Sequence, residues 1–215
     1  MTSVLVTGAT DGLGRVVAAD LAARGFSVHV HGRSEERAQA VAEEIGAAGV
    51  HLADFSSLAQ VRALAEELPH VDVLVNNAGL ISERRVVTGD GIELTFQVNH
   101  LAPFLLTMRL LEHAPPRRVV HVASLGQERP DFGDLMLEHG YDEWRAYRQS
   151  KLAQIMFSFE CARRVALQQP RREQERRQVV DLEGQLDPVA GDEDGGHGQP
   201  RSSRTRFGSD STIRS

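Results

Sequence analysis

Lysine is nearly absent from this chain of 215 residues. Of its 24 lysine and arginine residues, a single one, Lys151, is a lysine. Cysteine is as scarce: Cys161 stands alone, which excludes an intrachain disulfide framework and a cysteine-rich metal site. Long apolar runs are missing too, because no stretch reaches the roughly 20 residues that a membrane-spanning helix needs. No basic leader precedes Val4, so we expect a cytoplasmic protein with no membrane contact.

A surplus of positive charge is also lacking. The formal net charge is −6 at pH 7, so we expect no nucleic-acid partner. The histidines, among them His100, His121 and His139, show no metal-ligand spacing, and we expect no metal. What remains is a hydrophobic fraction of 41% and a charged fraction of 25%, which are ordinary for a soluble globular domain.

Short β-rich runs alternate with helical periodicity along most of the chain. Strands are predicted at 4–7, 26–31, 50–53, 71–75 and 118–123, and helices at 13–24, 34–47, 56–68, 92–113 and 141–168. This alternation predicts an α/β fold, a doubly wound parallel sheet of the Rossmann type in three α/β/α layers.

The composition changes near Pro170. Residues 171–215 are rich in Arg, Glu, Asp, Gly, Gln and Ser, and the run 191–200 cannot build a core. We therefore predict an NAD(P)-binding domain at 1–168 and a low-complexity, disordered tail at 169–215.

A glycine-rich turn, residues 7–14, follows the first strand and opens the first helix. Gly8 permits a tight turn, Gly12 lets the backbone approach a pyrophosphate, and Gly14 allows close helix–strand packing. The free N–H groups of the new helix favour phosphate. A plain strand–helix connection stays open for this motif alone, whereas a nucleoside-triphosphatase loop is excluded because no Gly-Lys-Ser/Thr follows.

Further polar motifs lie at or near the ends of successive strands, where a doubly wound sheet binds its ligands. They are Asp54-Phe55, Asn76-Asn77-Ala78-Gly79, Asn99 in the long helix, Ser124 at the end of the fifth strand, and Tyr147 with Lys151 on the last helix. In this order the motifs resemble the short-chain dehydrogenase/reductase family. The stretches 90–101 and 150–153 are most similar to its retinol-dehydrogenase-like and WW-domain-oxidoreductase-like branch, and the resemblance covers about residues 3–167.

The resemblance implies a catalytic set of Asn99, Ser124, Tyr147 and Lys151. Tyr147 would exchange a proton with the alcohol or carbonyl oxygen, Ser124 would hydrogen-bond that oxygen, and Asn99 would hold a relay water. Tyr147 and Lys151, four apart, share a helix face, and a cation beside a phenol favours the phenolate. The resemblance and the glycine turn together imply cofactor contacts at Gly8, Thr10, Asp11, Gly12, Leu13, Gly14, Arg33, Asp54, Phe55, Asn76, Ala78, Gly79, Tyr147 and Lys151.

Each of these residues also has a plain structural interpretation. Tyr147 would then be an amphipathic surface residue, Lys151 a solvated helix charge and Ser124 a helix cap. The conjunction of all motifs with the one lysine of the chain favours the catalytic interpretation over these.

The expected cofactor is NADP, with NAD as the alternative. A carboxylate at the end of the second strand would bind the ribose 2′-hydroxyl of NAD. Here the strand ends in His31-Gly32-Arg33, which offers no acid, and Arg33 can pair with a 2′-phosphate. Asp11 speaks against this choice, because many NADP-preferring relatives carry a basic residue there.

Relatives continue after this helix with a further strand and a loop that contacts the nicotinamide. No such pattern is recognisable after residues 162–164, so we expect the C-terminal strands to be missing or replaced by the disordered tail. Two hypotheses follow. One is an NAD(P)-dependent oxidoreductase acting on a small-molecule alcohol, ketone or aldehyde. The other is a truncated, catalytically silent nucleotide-binding domain or protein-interaction module.

Relatives also commonly pair through the long helix and the Tyr147 helix. We therefore expect a homodimer or homotetramer, although the apolar face of the Tyr147 helix would equally suit packing on the sheet.

Overall fold

Five parallel strands form the centre of the computed structural model, which describes residues 1–167. The strands are β1 Ser3–Val6, β2 Ser27–Gly32, β3 Gly49–Leu52, β4 Val73–Asn76 and β5 Arg118–His121. The helices are α1 Gly12–Ala23, α2 Glu35–Ile45, α3 Leu58–Glu67, α4 Leu94–Phe96, α5 Ala102–His113 and α6 Glu143–Leu167. The tail expected at 169–215 lies outside the described residues.

The spatial order of the strands is β3-β2-β1-β4-β5. The order runs one way from β1 to β3 and reverses between β1 and β4, so the connections after these two strands leave toward opposite faces. This divergence opens a crevice at the carboxyl ends of β1 and β4, where sheets of this kind bind their ligands. The predicted Rossmann-type fold is confirmed.

Two apolar clusters cover the two faces of the sheet. One joins α3 and α5 to the sheet around Leu5, Leu74 and Leu106, each fully buried. The other places α1 and α2 over Val6, Val30 and their neighbours. Because successive side chains of a strand point to opposite faces, Leu74 belongs to the first cluster and the next residue, Val75, to the second.

Two predicted element bounds were wrong in ways that matter for the site. The long helix was expected to begin at residue 92, but it begins at Leu94, where the Glu93 carboxylate accepts hydrogen bonds from the N–H groups of Thr95 and Phe96. A π-helical turn, Gln97–Leu101, then joins α4 to α5. Its wider ring is closed by the N–H of Ala102 donating to the carbonyl of Gln97.

The fifth strand was expected to reach Ser124 but ends at His121. The N–H of Val122 still donates to the carbonyl of Asn76, at 2.9 Å. The carbonyl of Val122, however, accepts from Lys151 Nζ at 3.0 Å. Its hydrogen-bond partner is therefore a side chain of α6 and not the backbone of a neighbouring strand. Ser124 therefore lies in the loop that follows β5.

Candidate active site

A cleft of about 710 Å³ lies at the crevice between the β1 and β4 connections. Every predicted cofactor residue lines it except Asn76, Tyr147 and Lys151. Its lining also includes His31, Arg37, Asn77 and Leu80, which sequence reasoning did not select as contacts.

The glycine-rich turn leaves no room for a side chain at Gly8 or Gly14. A Cβ on Gly14 would overlap the carbonyl oxygen of Gly8 and the amide nitrogen of Asn77. Gly8 has φ +65° and Gly12 has φ +49°, a left-handed conformation that favours glycine. Nothing lies within 4 Å of the position that a Cβ on Gly12 would take. The turn therefore packs closely against its neighbours at Gly8 and Gly14 and stays open at Gly12, which fits a pyrophosphate.

Asn77, the first residue after β4, holds this turn in place. Its Nδ2 donates to the carbonyls of Thr7 at 2.9 Å and Gly8 at 3.2 Å. The Oγ1 of Thr7 in turn accepts from the N–H groups of Asn77 and Ala78 at 3.0 and 3.1 Å. The β1 and β4 connections are thus tied together directly below the cleft.

Asn76, which was predicted to contact the cofactor, faces away from the cleft. It occupies the same face of β4 as Leu74, and its Nδ2 donates to the Oγ1 of Thr107 on α5 at 3.0 Å. The alternation of strand side chains makes this the expected direction, and Asn76 is not among the residues that line the cleft.

His31 supports the glycine turn from β2. It is 3% exposed, and its Nδ1 accepts from the N–H of Gly8 at 3.1 Å. Burial lowers the pKa of His31 from 6.5 to about 4, so the ring is neutral at physiological pH. Since Nδ1 accepts, the proton lies on Nε2, which has no hydrogen-bond partner among the described residues. The ring of Phe55 packs against it, with ring centroids 4.5 Å apart.

The end of β2 carries basic side chains and no acid. Position 32 is a glycine and carries no carboxylate, and a Cβ there would lie 2.4 Å from the Thr10 methyl group. Arg33 and Arg37 are both exposed and both line the cleft. Asp11 accepts from the N–H of Gly12 at 2.7 Å, and its other oxygen is 3.8 Å from Arg37 Nη1.

Lys151 and Tyr147 lie one turn apart on α6. Lys151 is 4% exposed, and its Nζ lies 5.7 Å from the centroid of the Tyr147 ring. Burial lowers the pKa of the Lys151 ammonium. The ammonium donates to the carbonyl of Val122 at 3.0 Å and to the Oε1 of Gln154 at 3.4 Å, which fix its position.

Asn99 is fully buried in the π-helical turn and binds the connection after β4. Its Oδ1 accepts from the N–H of Leu80 at 2.8 Å, and its Nδ2 donates to the carbonyl of Leu80 at 2.9 Å. A Cβ on Gly79 would lie 3.2 Å from Asn99 Oδ1 and 3.5 Å from Lys151 Nζ. Gly79, which lines the cleft, is therefore flanked by both side chains. The structure thus places Asn99 and Lys151 beside Gly79, with Tyr147 one helical turn from Lys151.

Ser124 lies in the loop after β5, and its Oγ accepts from the N–H of Gly126 at 3.1 Å. Two ion pairs of Arg145 hold this loop against α6, with Asp131 at 3.0 Å and Glu128 at 3.4 Å. Gly126 packs near the side chain of Arg148, next to Tyr147 along α6. The loop therefore lies along the first turns of α6, the helix that carries Tyr147.

No group of three or more metal-ligating side chains occurs among residues 1–167. The same part of the chain contains no helix of the length and apolar character required to cross a membrane.

Comparisons with known proteins agree with this geometry. A family model described as short chain dehydrogenase matches residues 2–169. A Streptomyces protein (strain C5), DnrU, provisionally named a daunorubicin C-13 ketoreductase, is 42% identical over 174 residues, covering 75% of this chain and 61% of that protein. Retinol dehydrogenase 14 of Homo sapiens is 38% identical over 191 residues, covering 76% of this chain and 57% of that protein. The chain thus spans less than two thirds of either relative.

Solved structures share the architecture. An uncharacterised protein of Mycobacterium paratuberculosis superposes with a TM-score of 0.72 at 36% identity, covering 78% of this chain and 63% of that one. The Pseudomonas aeruginosa RhlG/NADP active-site complex superposes with a TM-score of 0.61 at 26% identity, covering 77% and 67%.

Proposed function

The chain belongs to the short-chain dehydrogenase family, and from that premise we propose that it is an oxidoreductase that interconverts a small-molecule alcohol and a carbonyl compound with NADP(H). The observation that carries the proposal is the buried ammonium of Lys151, which lies near Tyr147 and next to Gly79, a residue that lines the cleft. No contact within residues 1–167 favours the silent module over this enzyme.

The cofactor would be held by residues that already fit it. The open turn at Gly12 and the free N–H groups of α1 suit the pyrophosphate, and Arg33 suits a 2′-phosphate. Because residue 32 is a glycine and carries no carboxylate, the end of β2 favours NADP over NAD. When bound, the nicotinamide supplies or accepts the hydride.

The proton would be handled by Tyr147. Its phenol oxygen would donate a proton to the carbonyl oxygen during reduction and take one from the alcohol during oxidation. The ammonium of Lys151 stabilises negative charge on that oxygen, and exclusion of water strengthens the attraction. The Ser124 hydroxyl would hydrogen-bond the reacting oxygen.

Asn99 would fix the approach of Lys151 to the cleft. Two of the three hydrogen bonds of its amide are with the backbone of Leu80, so it holds the Gly79–Leu80 connection rigid beside the ammonium. Ser150 accepts a further hydrogen bond from Asn99 Nδ2 at 3.1 Å, which ties the π-helical turn to α6.

The two tyrosines of the chain offer a matched test. Tyr147→Phe should lower carbonyl turnover by about a hundredfold or more, because it removes the proton donor. Tyr141→Phe, which loses a hydrogen bond to the carbonyl of Ser82, should keep near wild-type turnover. NADPH-dependent reduction of a panel of aldehydes and ketones is the measurement, with NADPH affinity from fluorescence as the control. Equal turnover in wild type and Tyr147→Phe contradicts the proposal.

A further inference from the structure

We infer that His29 and His51, on two neighbouring strands, form a binding site for a divalent transition-metal ion that prefers imidazole nitrogen, such as Zn²⁺, Ni²⁺ or Cu²⁺. The inference goes beyond the proposed function and does not depend on it. The spacing of the histidines along the chain does not indicate this site, because its two members lie 22 residues apart and meet only in the folded sheet.

Strand pairing brings the two rings together. β2 and β3 are parallel, with His29 opposite Gly49 and His31 opposite His51. Because alternate residues of a strand share a face, the three histidines project from the same face of the sheet. β3 is an edge strand, and His29 and His51 are both half-buried, so solvent and small ions reach the pair.

The two ring nitrogens that face each other are close to a chelating distance. His29 Nδ1 lies 3.0 Å from His51 Nε2. Two nitrogens that each bind one tetrahedral Zn²⁺ at about 2.0–2.1 Å lie ~3.3 Å apart, so a small movement of either ring is sufficient.

Both rings are available as neutral ligands. Burial lowers the pKa of His29 and of His51, and the neighbouring His29 lowers that of His51 further. Each ring therefore keeps a lone pair for a metal at physiological pH. In the hydrogen bond between them one ring donates its N–H to the other. When a metal binds, that proton moves to the second nitrogen of the same ring, so both rings stay neutral.

Gly49 leaves space for an ion beside these nitrogens. A Cβ at this position would lie 3.1 Å from His29 Nδ1 and 3.4 Å from His51 Nε2. A glycine inside a strand is often found where a ligand approaches the backbone closely. Any larger residue at position 49 would occupy the space that the ion and its bound water need.

The site supplies two protein ligands. His31 does not join it, because its Nδ1 accepts from the N–H of Gly8. No third metal-ligating side chain completes a group within residues 1–167, so water would fill the other coordination positions. Such a site is open and exchangeable, and its nitrogen ligands do not suit Mg²⁺ or Ca²⁺, which prefer oxygen. A bound ion would link the edge strand β3 to β2.

Calorimetric titration of the full chain, free of any affinity tag, with ZnCl₂ tests the inference. We expect wild type to bind one equivalent of Zn²⁺ at least about tenfold more tightly than His29→Asn or His51→Asn, because even the loss of a partner behind a metal ligand costs ~10- to 100-fold. Gly49→Ala keeps both histidines and should weaken the same equivalent, since its methyl group fills the space beside the nitrogens. The control is His139→Asn, which removes an exposed histidine that pairs with Asp134 and should leave the affinity unchanged.

Thermal unfolding gives a second readout. A Zn²⁺ concentration about a hundredfold above Kd should raise the melting temperature of wild type by about 5–10 °C and that of His51→Asn by much less, whereas MgCl₂ should raise neither. Melting curves in EDTA show whether each variant is folded.

Three results would overturn the inference: wild type binds no Zn²⁺, His29→Asn and His51→Asn bind it as tightly as wild type, or Gly49→Ala does so. In the last two cases the ion occupies another site. None of these outcomes bears on the proposed function, because no nucleotide takes part in the titration.

Discussion

Acid should weaken the fold through His31, and the variant His31→Asn isolates that effect. The ring is buried against the glycine-rich turn, and its Nδ1 accepts a hydrogen bond from the N–H of Gly8. The ring therefore cannot take a second proton without losing this hydrogen bond. Asn retains a side-chain acceptor of similar reach and has no titrating group. Any difference in acid sensitivity between the two proteins therefore reports on the protonation of His31.

The magnitude follows from the two pKa values of His31, the ordinary 6.5 in the unfolded chain and about 4 in the folded one. Between these two pKa values the unfolded state binds a proton that the folded state does not bind, so the free energy of unfolding falls as pH falls. At about pH 5, some 1.5 units below the unfolded pKa, the loss amounts to ~2 kcal/mol at about 1.36 kcal/mol per unit. Below about pH 4 the loss is complete.

Urea unfolding of both proteins at about pH 7.5 and pH 5 measures this loss. Burial also lowers the pKa values of His100 and His121 to about 4, but both groups are present in wild type and variant and cancel in the comparison. We expect wild type to lose ~2 kcal/mol more than His31→Asn between the two pH values. An equal loss in both would refute the assignment of a buried, neutral His31 that supports the turn.

Further substitutions test other parts of the account. Gly14→Ala should cost about 1–3 kcal/mol in urea unfolding and abolish dinucleotide binding, because its Cβ overlaps the Gly8 carbonyl, whereas Gly89→Ala enters open space and should change neither. Lys151→Arg should lower the melting temperature and turnover together, since a guanidinium is bulkier than the buried ammonium; unchanged turnover would contradict the role of Lys151. Leu106→Ala, at a fully buried core position, should cost about 2–5 kcal/mol in urea unfolding, and a loss below about 1 kcal/mol would contradict the packing described for α5.

Much of the architecture could be predicted from local patterns. Alternating strands and helices predicted the sheet. The helix predicted at 34–47 corresponds to α2, whose first turn is capped by the Ser34 Oγ accepting from the N–H of Arg37. The glycine turn was interpretable because Gly8 and Gly12 have a positive φ, and because Gly14 lies too close to Gly8 and Asn77 for a side chain. Gly14 in particular was expected to permit close packing, and it does.

What the sequence could not reveal depends on contacts between distant segments. The π-helical turn adds one residue to a helical ring, which apolar periodicity does not register, yet it sets where Asn99 points. Directly after β5, the carbonyl of Val122 accepts a hydrogen bond from Lys151, which lies 29 residues away along the chain. Arg37 was overlooked since its approach to Asp11 exists only once α1 and α2 lie side by side. The direction of Asn76, by contrast, was available from strand alternation.

Transfer of deuterium from the nicotinamide C4 of labelled NADPH to a carbonyl compound, followed by mass spectrometry of the product alcohol, tests the central claim most directly. The account predicts one deuterium on the carbinol carbon with wild type and with Tyr141→Phe, and at least about a hundredfold slower labelling with Tyr147→Phe. Saturating NADPH binding without label in any alcohol of the panel, or equal labelling by Tyr147→Phe, would contradict it.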